Sequence, residues 1–468
     1  MGHSPKPRNT AVVKNSLLSL SITNTNAKGF GVGRVNDFVL LVDGGLTGDT
    51  LEVQVVKVKS RYGYAKLLRI ITPAPHRIES PCPVSTQCGG CQFQHCDYKG
   101  QLLIKKQIVT DALTRVGGLT NPPVRDVLGM ESPTRYRNKG VFPVVPAQND
   151  DGFAIGMYAA RSHRIVEIND CLLQHPAAIR VLFVVKDYLR QHKITPYDEV
   201  EHKGQMRQIM VRTAWATGEI MVVLVANADT LPGLDDLIQA TKEKAGVTTL
   251  LLSTHKTRSN AVLGDDFRVL SGKGYIEERI GGVRYRISAP SFFQVNSTQV
   301  KVLYDTALTM AGDTTHLLDA HVGAGGITLY AAARANHQGR ALHVTGVDIV
   351  APAITNAMEN AALNHITNTR FITGAAEEVI PDLLTNGLKP DVVFLDPPRR
   401  GCELPLLEAL ITAQIQKIVY ISCDPATLAR DVKILCNRGY ILEIVQPVDM
   451  FPMTGHVEVV ALLRRADT

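Results

Sequence analysis

His316-Leu317-Leu318-Asp319-Ala320-His321-Val322-Gly323-Ala324-Gly325-Gly326 is a short apolar run that ends on an acid and enters a glycine-rich turn. A strand, a turn free of bulky side chains and the start of a helix are what this order of residues predicts, because glycine lets a ligand approach the backbone and the helix N-terminus beyond it. The motif recurs in outline: His343 to Asp348 is a second apolar run ending on an acid, followed by a helical stretch. The acid comes about 20 residues after the glycines, the spacing at which a carboxylate accepts hydrogen bonds from a ribose diol. A glycine-rich turn with an unremarkable surface acid is the plainer reading, but both features together indicate a nucleoside-containing cofactor. NAD requires a third glycine where Thr328 stands, so S-adenosylmethionine is the expected ligand.

Working outward, strand and helix continue to alternate through Arg370 to Thr373, Asp391 to Asp396, Ile418 to Ser422, Ile441 to Val448 and His456 to Leu463. Such alternation predicts an α/β Rossmann-like, doubly wound and mainly parallel sheet over 287–468, with ligands beyond the carboxyl ends of its strands. Three of those ends carry further chemistry. Asp396-Pro397-Pro398-Arg399 is an acid fixed by two prolines, suited to the edge of a planar base. Cys423 lies just before a helix start at about Ala426, where the local field is expected to favour thiolate, the nucleophilic form. In His456-Val457-Glu458-Val459-Val460, alternation places His456 and Glu458 on one face, from which Glu458 can act as a base; an edge-strand pairing partner is the bland alternative.

The remainder of the chain divides into two units. Over 12–72, short β-like runs separated by Gly29-Phe30-Gly31-Val32-Gly33 and Asp43-Gly44-Gly45 predict a small OB-like barrel. Its Lys28, Arg34, Lys57, Lys59, Arg61 and Lys66 form either a solvated face or a polyanion contact. Over 73–286, strand-like segments alternate with helices at Pro176 to His192 and Leu234 to Ala245, an α+β pattern. It opens with a cysteine loop and a helix over 98–116 that is able to pack on the catalytic unit. Cys82, Cys88 and Cys91 put three thiols within reach of one centre, with Cys171 as the fourth; zinc and an iron–sulfur cluster both suit such a set. Cys96 is a competing ligand or an apolar filler, and Cys402 and Cys436 read as core residues.

The whole chain has 468 residues, 45% of them hydrophobic, and a formal net charge of +6. It exceeds one core, lacks an apolar run of the roughly 20 residues that span a bilayer, and has too few cysteines for a disulfide scaffold. Met1 to Asn15 is polar and basic, unlike a secretory signal, so a cytoplasmic protein without membrane contact is expected. The charge permits a nucleic-acid partner without demanding one.

Through these residues the chain resembles, almost end to end, the S-adenosylmethionine-dependent RNA 5-methyluridine methyltransferases, especially the bacterial 23S ribosomal RNA branch with a TRAM barrel and a 4Fe-4S cluster. Gly29 to Gly33 with Arg34, and Gly48-Asp49, look like TRAM; Phe293-Gln294-Val295-Asn296, Asp396 to Arg399, Ser422-Cys423-Asp424-Pro425 and Asp449 to Glu458 match the catalytic motifs. The resemblance implies that Gln294, His321, Gly323, Gly325, Asp348 and Asp396 surround cofactor and base, that Cys423 is the nucleophile and Glu458 the base, and that Cys82, Cys88, Cys91 and Cys171 hold the cluster. It further implies methylation of carbon 5 of a 23S uridine by a monomer. The same chemistry on transfer RNA, or a non-catalytic RNA-binding role in ribosome assembly, are the alternatives. The chain departs from the family pattern at His321-Val322, where an aromatic and a cysteine are usual, at Ala375, where an acid or amide is frequent, and at Asp424, commonly Asn.

Overall fold

The computed structural model describes residues 12–466; residues 1–11, most of the polar Met1 to Asn15 stretch, and 467–468 lie outside the described residues. Five strands come first: β1 (Leu17–Thr25), β2 (Phe30–Val35), β3 (Phe38–Asp43), β4 (Thr50–Val58) and β5 (Tyr62–Thr72). They close into a barrel in the order β1-β2-β3-β5-β4, β1 pairing back to β4. Alternation explains the closure: Leu20, Ile22, Leu40, Val42, Leu51, Val53 and Val55 all point into one small core. Gly33 permits the crossing of β1 and β2, since a Cβ there would lie 2.6 Å from Leu20 and 2.7 Å from the Ser21 carbonyl. The six basic residues named above are all exposed.

After the cysteine loop comes helix α1 (Tyr98–Arg115), then β6 (Lys139–Pro146), β7 (Phe153–Tyr158), β8 (Ile165–Glu167), α2 (Pro176–Gln191), β9 (Met206–Thr213), β10 (Ile220–Ala226), α3 (Leu234–Ala245), β11 (Thr249–Thr254) and β12 (Asp266–Ser271). The strands form one sheet, β12-β11-β10-β9-β6-β7-β8, in which only β10 and β11 run parallel. Helices α2 and α3 cover one face. The other face, through Met210, Met221, Val223 and Val225, shares its core with the hairpin β13 (Tyr275–Ile280) and β14 (Val283–Ser288) and with the helices that follow. Covered on both sides, β10 is buried along its whole length.

The last unit holds α4 (Ser297–Ala311), β15 (His316–Asp319), α5 (Gly326–His337), β16 (His343–Asp348), α6 (Ala351–Leu363), β17 (Thr369–Thr373), α7 (Ala376–Thr385), β18 (Val392–Leu395), α8 (Leu404–Thr412), β19 (Lys417–Ser422), α9 (Pro425–Cys436), β20 (Tyr440–Val448) and β21 (Glu458–Arg465). The strand order is β17-β16-β15-β18-β19-β21-β20, the first five parallel and the closing pair antiparallel. Order reverses between β15 and β18, which opens the crevice where ligands bind such sheets.

One local expectation is corrected. His456 precedes β21 and is exposed, whereas Glu458 opens the strand and is buried. Its neighbours sort by face: Val457 and Val459 into one core, Val460 and Leu462 into the other. On α1, Leu103 and Val116 are exposed, while Gln101 and Lys105 are buried; side-chain partners, described below, override hydropathy there. Helix α1 packs Val109 and Leu113 into the core that contains α9 and β20. Among the described residues no helix is long and apolar enough to cross a membrane.

Candidate active site

Three strand ends build the catalytic corner. Ser422 of β19 pairs with Val459 of β21, which brings the next residues outward, Cys423 and Glu458, close enough for Glu458 to raise the Cys423 thiol. Asp396 follows β18, the parallel neighbour of β19, in register Leu395 to Tyr420. Burial and a shared negative field set the protonation here. Asp396 is pushed up to about 7 by burial and by the carboxylate of Asp319. Glu458 rises to about 8 through burial and Asp396, with Arg399 opposing. Asp319, fully buried, rises to about 6 although Thr328 Oγ1 (2.6 Å) and the His321 amide (3.2 Å) both donate to it.

Cys423 departs from expectation. Burial, then Glu458 and Asp396, raise its thiol to about 11 against the opposing charge of Arg399. The helix start that should have favoured thiolate is already engaged: Asp424 accepts the Ala426 and Thr427 amides at 2.9 and 3.2 Å. The free protein therefore keeps Cys423 as a thiol.

At the switch point, Gly323 and Gly325 both take positive φ (53° and 87°), and no side chain caps α5. Half-buried Asp348 accepts the Gly323 and Val350 amides, each at 2.8 Å, one per carboxylate oxygen, and keeps lone pairs for a ligand. His321 lies beside it with a buried Nδ1 that has no hydrogen-bond partner, and burial lowers its pKa to about 4. A neutral imidazole with an unmet polar atom fits a cofactor contact. Gln294 is half-buried and its carbonyl accepts Asn138 Nδ2 at 2.9 Å. Asn296 caps α4 through Gln299 N (3.1 Å) and donates to the Met450 carbonyl (3.0 Å).

The four cysteines predicted to act together also meet. Cys82, Cys88, Cys91 and Cys171 line one small cavity with Gly90, Gln94, Arg137 and Gln174. Burial pushes the Cys91 thiol up to about 12 and the Cys88 thiol upward, the other thiols adding to both. Gly90 N donates to Cys88 Sγ and Gln94 Nε2 to Cys91 Sγ, each at 3.4 Å. Gln94 Oε1, Arg137 Nε and Gln174 Oε1 are buried without partners. Thiols and unpaired polar atoms around one void fit a polar, sulfur-bound occupant. No group of three or more His, Cys, Asp or Glu among the described residues is placed to hold a metal ion. Cys96 lies elsewhere, in an apolar cluster with Leu46, Phe93 and Ile104.

Sequence reading missed the groups that hold the catalytic loop, above all Lys105, Tyr98 and Asp449. Asp449 has only a signal in the Asp-x-Phe-Pro string, and Lys105 has none, because a lysine on a helix normally reads as solvated.

Comparison with known proteins agrees with this geometry. The sequence family described as tRNA (Uracil-5-)-methyltransferase matches residues 265–466, and the TRAM domain matches residues 14–68. The chain is 45% identical over 456 residues to an uncharacterised RNA methyltransferase of Clostridium tetani, covering 97% of each. To one of Halalkalibacterium halodurans it is 42% identical over 455 residues, 97% of this chain and 98% of the other. The crystal structure of Pyrococcus abyssi tRNA (uracil-54, C5)-methyltransferase in complex with S-adenosyl-L-homocysteine superposes with a TM-score of 0.75 at 28% identity, over 95% of this chain and 99% of that one. With a TRAM barrel at one end, a methyltransferase sheet at the other and relatives matching nearly its full length, the chain belongs to the RNA uracil-5 methyltransferase family.

Proposed function

We propose that the protein methylates carbon 5 of a uridine in 23S ribosomal RNA, using S-adenosylmethionine as methyl donor and a covalent bond from Cys423 to carbon 6. The observation that carries this reading is the convergence of Cys423, Glu458 and Asp396 at adjacent strand ends, close enough for Glu458 and Asp396 to raise the thiol. Gly323, Gly325, Asp348, His321 and Gln294 would hold the donor, whose sulfonium supplies an electrophilic methyl group. Burial, then Glu458 and Asp396, hold the proton on Cys423; the donor's positive charge opposes those two carboxyls and favours loss of the thiol proton to solvent.

Carbon 5 of uracil is a weak nucleophile. Addition of the Cys423 thiolate to carbon 6 pushes an electron pair into the ring as an enolate, with Asp396 against the uracil edge. Carbon 5 takes the methyl group and the donor departs as the neutral thioether. The Glu458 carboxylate then removes the carbon 5 proton, the ring electrons expel Cys423 as thiolate, and methylated RNA is released. A stacked uridine hides this atom, so the base must be flipped out or presented from a loop. The exposed basic residues of the barrel, with Lys59 lying over Tyr62 and Tyr64, suit the RNA backbone and unstacked bases.

Cys82, Cys88, Cys91 and Cys171 would hold a 4Fe-4S cluster. The four cysteines line one cavity, and as thiolates they would supply the all-sulfur donor set that such a cluster takes. The methyl transfer moves no unpaired electron, so the cluster's part would be structural or RNA-positioning. The working division is 12–72, 73–286 and 287–468, in a monomer of the cytoplasm.

Transfer RNA is the second reading, favoured by the substrate named for the archaeal structure. Purified protein, labelled donor and unmodified 23S ribosomal and transfer RNA decide between them. Label in 23S RNA, abolished by Cys423→Ala, supports the proposal; label in transfer RNA alone selects the second reading. No label in either leaves a non-catalytic RNA-binding module.

A further inference from the structure

Residues 449–457, the loop that delivers Glu458, are gripped along their length by the cysteine loop and α1. Asp449 is fully buried, and its carboxylate accepts Lys105 Nζ at 2.5 Å, Tyr98 Oη at 3.0 Å and the Phe451 amide at 3.1 Å. Lys105 is equally buried and also donates to the Phe451 carbonyl at 2.9 Å. Two residues on, Gln101 Oε1 accepts the Met453 amide at 2.8 Å, while its Nε2 donates to the carbonyls of Phe93 (3.2 Å) and Cys96 (2.9 Å). The amides of Gln92 and Phe93, directly after Cys91, both donate to the Met453 carbonyl at 3.0 Å. Gln92 Oε1 accepts the Gly455 amide at 3.2 Å, and Tyr136 Oη donates to the Pro452 carbonyl at 3.0 Å.

A lysine without solvent is a costly tie. A methionine of similar length would fill the space and spare the desolvation of two charges, so packing alone does not account for it. What the ion pair adds is direction: one ammonium fixes a side chain and a carbonyl two residues apart. Directed placement matters here because a base must come within hydrogen-bond reach of the proton it removes.

We infer that Lys105 is a positioning residue for the base step: through Asp449 and Phe451 it holds the 449–457 loop so that the Glu458 carboxylate stands where the carbon 5 proton is removed. The cysteine loop, acting through Gln92, Phe93 and Gln101, is the other half of the same clamp, which gives the cysteine cavity a catalytic consequence without electron transfer. The inference rests on the covalent reading above, in which a missing base stalls the reaction after methyl transfer and before release.

That stall provides the test. Full-length Lys105→Met and Gln101→Leu are compared with wild type and Glu458→Gln in single turnovers with methyl-labelled donor and the methyl-accepting RNA. Expected are labelled, denaturant-stable protein–RNA species in both clamp variants, as in Glu458→Gln, with release slowed by up to ~10²-fold and kcat reduced more than the KM for RNA is raised. Gln101→Leu buries no unpaired charge, so it carries the test where Lys105→Met does not fold. Adduct in Glu458→Gln with wild-type release, or simple loss of activity without adduct, in the clamp variants overturns the inference and leaves the reaction standing. Absence of adduct even in Glu458→Gln overturns the covalent reading and the inference with it.

Discussion

Burial with Glu458 and Asp396 raises the Cys423 thiol, burial with Asp396 raises Glu458, and these shifts set how the site responds to pH. A thiol held near about 11 is a poor nucleophile at neutrality. Alkylation of Cys423 by iodoacetamide is therefore expected to be slow at pH 7 in the free protein. S-adenosylmethionine, with its sulfonium charge, should accelerate it more than the neutral homocysteine product does; mass spectrometry of the Cys423 peptide reads both rates. Equal rates with the two ligands would remove the charge argument. The base supplies a second signature. With Glu458 raised to about 8, the competent carboxylate of the free enzyme accumulates only as pH climbs through that value. Because this base acts after methyl transfer, the single-turnover rate of methylated-RNA release is the quantity that should rise with pH toward a plateau above about pH 8, and a flat release profile from about 6 to 9 would remove the buried carboxyl from that step.

At the scale of elements, the barrel is joined to the middle and catalytic units by small, exacting contacts. Asp49, at the end of the β3–β4 turn, accepts the amides of Leu46 (2.7 Å) and Ala74 (2.8 Å) and pairs with Arg77 at 2.5 Å. These donors outweigh its burial and hold its pKa below the usual carboxylate range. A lowered carboxyl stabilises the fold above its unfolded pKa and loses that contribution as pH falls through the folded value, so the lock opens only in strong acid. Asp49→Ala leaves two amides without their acceptor and the largely covered Arg77 guanidinium with only the Gly44 carbonyl, and should cost about 3 kcal/mol of stability in a denaturant melt. Gly455 is the matching point on the catalytic loop: a Cβ there would sit 1.7 Å from the Ala27 carbonyl of the barrel. Gly455→Ala must push the β1–β2 turn away from the loop, and slower product release with the barrel still folded by circular dichroism is the expected outcome.

Across the whole molecule, three carboxyls with raised pKa, Asp319 and Glu458 buried and Asp396 half-buried, make function and stability compete. Asp319, Asp396 and Glu458 have folded values of about 6, 7 and 8 against ordinary values of 3.8, 3.8 and 4.5. Each is raised, so the native state binds protons more tightly than the unfolded chain, and stability is full at low pH and lost as pH rises from about 4 to about 8. The Tm of the ligand-free protein should fall over that window, apart from any acid unfolding below it. Glu458→Gln, which cannot ionise, should melt higher than wild type at pH 8 and lose the advantage near pH 4. A higher wild-type Tm at pH 8 than the variant's would refute the burial of a costly charge there. The working pH of the enzyme is thus one at which its unliganded corner is strained.

Much of this was legible in the residues themselves. The span of β15, His316–Asp319, and of β16, His343–Asp348, follows from apolar runs bounded by acids, because hydropathy and turn chemistry act locally. The glycines at 323 and 325, the nucleophile and the base are equally local in signal. What only the tertiary structure decided is how those groups behave and what holds them. The Cys423 thiol is raised first because folding buries it and then because Glu458 and Asp396 converge on it from other strands, and no residue near it in sequence announces either effect. Lys105 is buried because Asp449, 344 residues away, receives it. Local order chooses strand, turn and helix, whereas charge and desolvation depend on what folding brings within a few ångströms, and that distance is written in no single stretch of the chain.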